Sequence, residues 1–499
     1  MTSPSTGAPS STHEHPPPDR LDPTLIRLGV ILVIGAIASM LDATIVSVAI
    51  DGLSREFDTD ISTIQWTSTG YLLALSVVIP LTGWAVERFG ARRVWLFSLA
   101  AFLVGSALCG AAWSVGSLIA FRVVQGIGGG LISPVMQTIL VRAAGPKRIG
   151  RIMSIVAVPG HLAPIVGPLV GGAIMDTISW RWIFYVNVPI CLIALLLAWR
   201  GVPRDQDDPA RDAPRLDTLG LCLLSPGLAA LIYGLSQTSR PEGFGSTPVV
   251  LSLAIGVVLL VAFAAHALRT RVTPVIDLRL FRHRPFTVAT LLMFLGGMSV
   301  FGAMLLMPLY YQQVRGKSAL DAGLLLAPQS IGTIVALTYV GRLTDRIGAR
   351  PIVLAGVTIG VGGTLAYTQV QPDTSIWLLS ASLLIWGIGI AASMVPIMSA
   401  AYQGLEPAAI PRATSAISVV QRLGGSFGTA VLAVILQRQI AHHTDGGRPG
   451  PAALTKAFDT TFWWVLGFTA LTIVPALLLP RARKQEPAGR APEPTAVPE

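Results

Sequence analysis

The segment at 83–93, GWAVERFGARR, has a counterpart at 341–350, where the chain reads GRLTDRIGAR. Both copies follow an apolar run and share the pattern Gly-x-x-x-acid-Arg-x-Gly-x-Arg at a constant offset of 258 residues. A weaker echo relates the Gly-Ile-Gly triplets at 126–128 and 387–389. We therefore predict a chain built from two similar halves. The repeated positions are Gly83, Glu87, Arg88, Gly90 and Arg92 in the first half and Gly341, Asp345, Arg346, Gly348 and Arg350 in the second.

The composition is that of a membrane protein. Hydrophobic residues make up 52% of the 499 residues and charged residues only 12%, whereas soluble domains carry about 25% charged residues. This excludes a disordered chain, a nucleic-acid-binding protein and an ordinary cytosolic enzyme. Because a helix needs about 20 apolar residues to cross the hydrocarbon core and barrel-type alternation is absent, we predict an all-α bundle of 14 transmembrane helices. The apolar runs lie near 25–50, 61–86, 93–112, 115–141, 150–174, 181–200, 216–237, 247–268, 286–310, 319–342, 350–369, 375–400, 411–436 and 460–480.

The repeat divides the fourteen spans into six, two and six. We predict a linker containing a short interfacial helix, because Val275, Leu278 and Phe281 are spaced by three with arginines between them; an irregular basic loop is the alternative. The predicted regions are a disordered tail at 1–22, a six-helix half at 23–200, two inserted helices at 201–268, the linker at 269–285, a second six-helix half at 286–480 and a tail at 481–499.

The basic residues predict the orientation in the membrane. The N-terminus and the even-numbered loops hold 26 of the 36 Lys and Arg residues, the odd-numbered loops hold 8, and two lie inside spans. Because positive loops stay in the cytoplasm, we expect both termini to be cytoplasmic in the plasma membrane of a prokaryote. The net charge of +10 is then mostly a topology signal, and no nucleic-acid partner is needed.

Two charges inside the predicted spans are candidates for chemistry. Asp42 lies in the middle of span 1 and Arg122 in span 4. A charge at the bilayer centre costs about 2.5–3.5 kcal/mol on insertion scales, so such residues are usually functional. We interpret Asp42 as a group that exchanges a proton or attracts a cation, with Arg122 promoting proton release. The alternatives are a structural hydrogen bond for Asp42 and an arginine that reaches the interface.

Other polar and aromatic residues are weaker candidates. Gln421 and Arg422 open span 13 and would line the cavity of the second half, or Arg422 would simply sit at a tight helix crossing. His161 in span 5 is more typical of a structural hydrogen bond than of a titrating site. Soft aromatic and sulfur-containing side chains suit promiscuous binding, although a lipid-facing or interfacial position is the better explanation for any single one. The cavity candidates among them are Trp66, Met136 and Tyr310.

Five motifs, each in its expected span, resemble the major facilitator superfamily in its 14-helix drug:proton antiporter branch. The resemblance covers nearly the whole chain and implies the major facilitator fold. Departures from the branch pattern include Glu87 for the usual Asp, and Ser47 for the usual Asn, which could alter substrate preference. The motifs are Leu41–Ala49 in span 1, Gly83–Arg93 after span 2, Arg122–Gly130 in span 4, Gly167–Gly172 in span 5 and Trp180–Pro189 at the start of span 6.

The resemblance also implies roles for particular residues. Asp42 and Arg122 would couple transport to protons, and Gln125 would join Asp42 in the substrate cavity. The acid and Arg positions of the two repeated loops would form a conformational latch; topology charge alone would explain the arginines but not the repeated acid. An antiporter motif that seals the outward leak path would be formed by Gly167, Pro168, Gly171 and Gly172, for which ordinary small-residue packing is the alternative.

We therefore predict a transporter that exports hydrophobic, often cationic, drugs or antibiotics by proton antiport and alternating access. No cofactor or metal is expected, because no phosphate loop or metal-ligand pattern is present, and we expect no enzyme activity. The expected partners are a lipophilic substrate, protons and the bilayer, and we expect a functional monomer. The alternatives are a dedicated exporter of one natural product or metabolite, a proton-coupled importer, and a transport-inactive receptor or scaffold.

Overall fold

The structure, a computed structural model, describes residues 22–145, 148–205, 215–239, 243–270, 272–371, 373–443 and 450–480. The predicted tails lie outside these residues apart from Asp22, and so do the side chains of His161 and Pro168. The described residues form α-helices and short 3-10 helices and contain no strand. This confirms the predicted all-α class.

The first half contains the residues of the first six predicted spans. Pro80 lies between α2 and α3, which meet at 55°, because proline lacks the N–H that a continuous helix needs. The helices are α1 Pro23–Glu56, α2 Ile61–Val78, α3 Leu81–Phe89, α4 Ala91–Gly110, α5 Val115–Ala144, α6 Ile149–Thr177, α7 Trp182–Tyr185 and α8 Asn187–Gly201.

The rest of the bundle consists of two inserted helices and the second half. The inserted helices are α9 Thr218–Ser236 and α10 Thr247–Arg269. The second half contains α11 Arg284–Gln313, α12 Ala319–Leu325, α13 Ala327–Ile347, α14 Ala349–Leu365, α15 Ile376–Tyr402, α16 Ile410–His442, α17 Pro451–Leu471 and α18 Ile473–Ala476. The 3-10 helices are Gln237–Ser239, Gly243–Gly245, Leu278–Arg282 and Ala366–Gln369.

Helices occupy all fourteen predicted positions. Twelve helical segments are long and apolar enough to cross a membrane, and the bent pair α2–α3 makes a thirteenth. The 29-residue helix α6 stands at the fifth predicted position. Several boundaries were wrong. Helix α17 begins at Pro451 instead of 460, because Lys456 and Asp459 lower the hydropathy of a segment that is nevertheless helical.

The sequence echo between the halves corresponds to the same helix crossing in each half. Gly105 of α4 packs so closely on Gln125 of α5 that a Cβ would lie 2.5 Å from the Gln125 Cα. At the equivalent crossing, a Cβ on Gly363 of α14 would lie 2.5 Å from the Trp386 nitrogen of α15. Gln125 and Trp386 therefore occupy corresponding places, which supports the division into two similar halves.

The inserted helices pack beside the boundary between the halves. Helix α9 contacts α2 of the first half and α16 of the second. Ser225 donates a hydrogen bond to the Val77 carbonyl at 2.8 Å, and Trp66 stacks on Tyr233 with ring centroids 5.9 Å apart. In the linker, the 3-10 helix Leu278–Arg282 stands where the interfacial helix was predicted, and its Leu280 is buried against the protein.

Candidate functional site

The intramembrane charges Asp42 and Arg122 form an ion pair inside the first half. Arg122 Nη1 donates to Asp42 Oδ2 at 2.6 Å, and the side chains are 1% and 0% exposed. Asp42 lies in α1 and Arg122 in α5, so the pair joins two helices of the same half. The sequence placed both residues inside the membrane, and the structure brings them together.

Two amides complete the shell around the Asp42 carboxylate, and a hydroxyl group binds these amides in turn. Gln125 Nε2 donates to Asp42 Oδ1 at 2.9 Å, and Asn187 Nδ2 donates to the same oxygen at 3.1 Å. The hydroxyl of Ser106 on α4 accepts from Gln125 Nε2 at 2.6 Å. Donors from α5 and α8 therefore surround the carboxylate and fix its position.

Arg122 is satisfied by further groups of the first half. Its Nε donates to the Thr67 carbonyl at 3.1 Å and its Nη1 donates to Gln125 Oε1 at 2.6 Å. The guanidinium carbon lies 4.2 Å from the centroid of the Tyr71 ring, a cation–π contact. A buried ion pair is tolerable only when such extra contacts offset the desolvation of both charges. The site therefore depends on both partners being present.

The corresponding region of the second half contains no such charges among the described residues. Ser299 of α11 and Thr469 of α17 share a hydrogen bond at 2.5 Å, and Trp386 occupies the place of Gln125. A cavity of about 50 Å³ lies beside them and is lined also by Met394 of α15. The buried Asp–Arg pair thus belongs to the first half, although the two halves share their helix packing.

The acid of the first repeated loop crosses to the other half. Glu87 at the end of α3 accepts a hydrogen bond from Arg412 Nε of α16 at 2.7 Å and a second from Arg412 Nη2. The absence of a side chain at Gly83 lets Arg412 approach, because a Cβ there would lie 3.2 Å from the Arg412 Cα. This bidentate contact is the strongest geometry for an arginine and a carboxylate.

The acid of the second repeated loop makes the reciprocal contact. Asp345 of α13 accepts from the backbone N–H of Gly150 at 3.1 Å and of Arg151 at 3.4 Å, and lies 3.6 Å from Arg151 Nε. These groups belong to the first turn of α6, where free N–H groups favour an anion. We call the end of the bundle that carries these two contacts the latch end.

The other repeated residues shape the loops. Gly90 and Gly348 both have φ of +86°, a conformation that favours glycine. The Asp205 carboxylate accepts the Ala91 N–H at 3.1 Å, and Arg92 donates to the Trp199 carbonyl. Gly341 sits against α6. Arg88 and Arg346 are exposed and Arg350 is half-buried, whereas each acid makes an ion pair with a residue of the other half.

The glycines of the predicted antiporter motif have different surroundings. A Cβ on Gly167 of α6 would lie 2.0 Å from Thr44 Oγ1 of α1, and one on Gly171 would lie 3.2 Å from the Ile45 carbonyl oxygen. A Cβ on Gly172 would meet nothing within 4 Å. The first two glycines therefore let α1 and α6 pack closely, and Gly172 has no such role here.

Three of the predicted cavity residues are packed against other side chains in this state, and their place in a substrate cavity stays a prediction. Met136 is 1% exposed in the core of the first half, and Tyr310 is fully buried among Tyr311, Tyr367, Phe458 and Phe462. Trp66 covers Tyr233 of the inserted helix α9. The helical spacing and the type of a residue do not show whether its side chain packs in the core or lines a cavity.

The remaining cavity candidates stand in or near the middle of the bundle. Gln125 belongs to the Asp42 shell. Gln421 and Arg422 of α16 are half-buried, and the Gln421 carbonyl faces Gly297 of α11. Asn187, Ser106 and Arg412 were not singled out from the sequence as site residues. Asn187 lies within the span-6 motif, and this was the only feature of the sequence that could have identified it as a site residue.

Comparison with known proteins agrees with this architecture. Residues 32–429 match the family model of the Major Facilitator Superfamily. A Multidrug resistance protein B homolog of Mycobacterium tuberculosis is 42% identical over 85% of this chain and 78% of that protein. The multidrug export protein EmrB of Haemophilus influenzae is 31% identical over 84% and 82%.

The fold is also that of solved structures of this superfamily. The proton:xylose symporter XylE superposes with a TM-score of 0.59 over 90% of this chain and 96% of that chain, at 15% identity. That likeness concerns the fold alone. The family model covers most of the sequence, and the repeated loops and the two six-helix halves agree with it. The chain belongs to the major facilitator superfamily, and it is a membrane transporter and not an enzyme.

Proposed function

We propose that the chain exports lipophilic drugs or antibiotics across the plasma membrane of a prokaryote in exchange for protons. The observation that carries this proposal is the buried Asp42–Arg122 pair, an acid and a base placed in contact inside a span. Relatives named for multidrug resistance and multidrug export support the substrate class. Both chain termini would be cytoplasmic, and the latch end would then face the cytoplasm.

The proton step follows from the surroundings of Asp42. Three donors surround the carboxylate, and in the proposed cycle this arrangement belongs to the proton-released state. A proton that binds there removes the charge that Arg122 compensates, so the guanidinium must turn away and α1 and α5 lose their strongest link. Asn187 Oδ1 is buried without a hydrogen-bond partner, and a rotation of this amide would give a protonated Asp42 an acceptor.

The latch supplies the second element of alternating access. Glu87–Arg412 and Asp345–Arg151 each join one half to the other at the same end of the bundle. Opening that end requires both contacts to break, whereas the state described here has both formed. Proton binding and substrate release would bias this two-state equilibrium, because a ligand shifts a population only through its different affinity for the two states.

The structure gives less support for cationic substrates than the sequence suggested. Asp42 was expected to attract lipophilic cations, but its carboxylate is fully buried and neutralised by Arg122. Lipophilicity is therefore the property that we propose for the substrate class. The alternatives are a dedicated exporter of one natural product and a transport-inactive receptor.

The experiment is proton release from acid-loaded inverted vesicles that contain the protein, on addition of a panel of lipophilic antibiotics and dyes. Release in response to several unrelated compounds is expected, and vesicles without the protein are the control. Release by a single compound would favour the dedicated exporter. If radiolabelled compounds bind but never move protons or accumulate, antiport is excluded and the receptor is favoured.

A further inference from the structure

Arg422 is an intramembrane cation whose guanidinium has no partner among the described residues. It lies in α16 and is half-buried, and no hydrogen bond or ion pair holds its side chain. Arg122 and Arg412 differ from it, because each is bound to a carboxylate. Its side chain is only half-buried, so the charge is not sealed inside the core. A ligand can therefore reach this charge.

Arg422 faces the first half across the boundary between the halves. Helix α16 contacts α3 and α5 of the first half, and the charge of Arg422 acts on Tyr71 of α2. Helices α2 and α16 belong to different halves, so a compound held by Arg422 would sit where the halves separate in alternating access.

Among the described membrane-crossing helices, no acidic side chain compensates the charge of Arg422. Asp42 is neutralised by Arg122, Glu87 by Arg412, and Asp345 is bound at the start of α6. Asp459 lies near the start of α17, at the end of the bundle where α16 finishes. At a rise of 1.5 Å per residue it is about 18 Å from Arg422 along the bundle axis. The free charge in the middle of the bundle is therefore positive.

We propose that Arg422 anchors the acidic group of the exported compound, so that lipophilic carboxylates and other organic anions are preferred over neutral or cationic analogues. This rests on the proposed export function and names its substrate class. A guanidinium binds a carboxylate through two parallel hydrogen bonds. Export of an anion is also favoured by an inside-negative membrane potential.

The test compares three probes with the same ring system in purified, nanodisc-embedded protein at neutral pH. They are 2-naphthoate, its neutral amide, and the cationic 2-naphthylmethylammonium, and calorimetry measures each Kd. Wild type should bind the carboxylate about tenfold or more tightly than the amide, because a hydrogen bond to a charged group is worth that much. Arg422→Gln should bring the two Kd values within about twofold of each other.

Two further variants separate an anchoring role from a structural one. Arg422→Lys keeps the positive charge and should retain part of the preference for the carboxylate. Arg438→Gln removes an exposed charge from the same helix and should bind like wild type, and the thermal midpoints show that all variants fold. Wild-type binding of the amide or the ammonium compound as tightly as the carboxylate, or a preference that survives in Arg422→Gln, would overturn the proposal. Equilibrium binding needs no proton flux, so failure of antiport would be seen separately.

Discussion

Arg122 Nη1 lies 2.6 Å from Asp42 Oδ2, although the residues are 80 positions apart in the sequence and both side chains are buried. The contact joins α1 to α5 within the first half. It also pairs two charges at a depth where an isolated charge would cost about 2.5–3.5 kcal/mol on insertion scales. The pair is therefore both a structural link and the candidate switch of the proposed cycle.

The first prediction concerns the stability of this pair. Arg122→Gln should destabilise the fold by about 3–5 kcal/mol, because it leaves a buried carboxylate without its counter-charge. Adding Asp42→Asn should recover a large part of that loss, since both charges are then absent. Thermal unfolding of the detergent-solubilised single and double variants measures this, with the exposed Arg88→Gln as the control. A double variant no more stable than Arg122→Gln would contradict the assignment.

The second prediction concerns the latch. Reversing either charge, as Glu87→Arg or Arg412→Glu, should slow transport by about tenfold, since a close pair of opposite charges becomes a pair of like charges. The combined exchange should restore most of the rate. Helix dipoles also suit the exchange, because Arg would stand at the end of α3 and Glu near the start of α16. Initial rates in inverted vesicles measure this, and no recovery in the double variant would exclude a direct pair.

The third prediction separates the glycines of the antiporter motif. Gly167→Ala places a Cβ against Thr44, where the nearest atom lies 2.0 Å away, whereas Gly172→Ala meets nothing within 4 Å. We expect the first substitution to push α1 and α6 apart and to reduce transport or folded yield, and the second to be nearly neutral. Size-exclusion yield and uptake rates of both variants test this. Equal effects would show that contact with α1 does not set the role of the motif.

Hydropathy was sufficient to predict the all-helical bundle, because the bilayer requires an apolar run of fixed length for each crossing. It did not predict helix ends, since helices such as α16 continue past the apolar stretch to His442. It also gave no sign that the second span is broken into α2 and α3. The repeated loops predicted the two halves and the acids that link them.

The site was predicted only as far as single residues allow. A charged residue inside an apolar span is easy to recognise in a sequence, so Asp42 and Arg122 were predicted. Asn187 and Ser106, which complete the network around them, are ordinary polar residues on other helices. Arg412 looked like one more basic loop residue, because pairing with a residue of the other half is a long-range contact. Trp66 and Tyr310 were predicted to line a cavity. Aromatic residues occur both in ligand sites and in packed cores, so residue type alone does not decide between the two.

The central claim is that Asp42 takes up and releases the transported proton. The most direct test adds an exported compound to purified protein in weakly buffered detergent solution and follows a pH indicator, for wild type, Asp42→Asn and the matched control Glu56→Gln on the same helix. Wild type and Glu56→Gln should release protons in proportion to the compound bound, and Asp42→Asn should bind the compound without release. Wild-type proton release from Asp42→Asn would contradict the account.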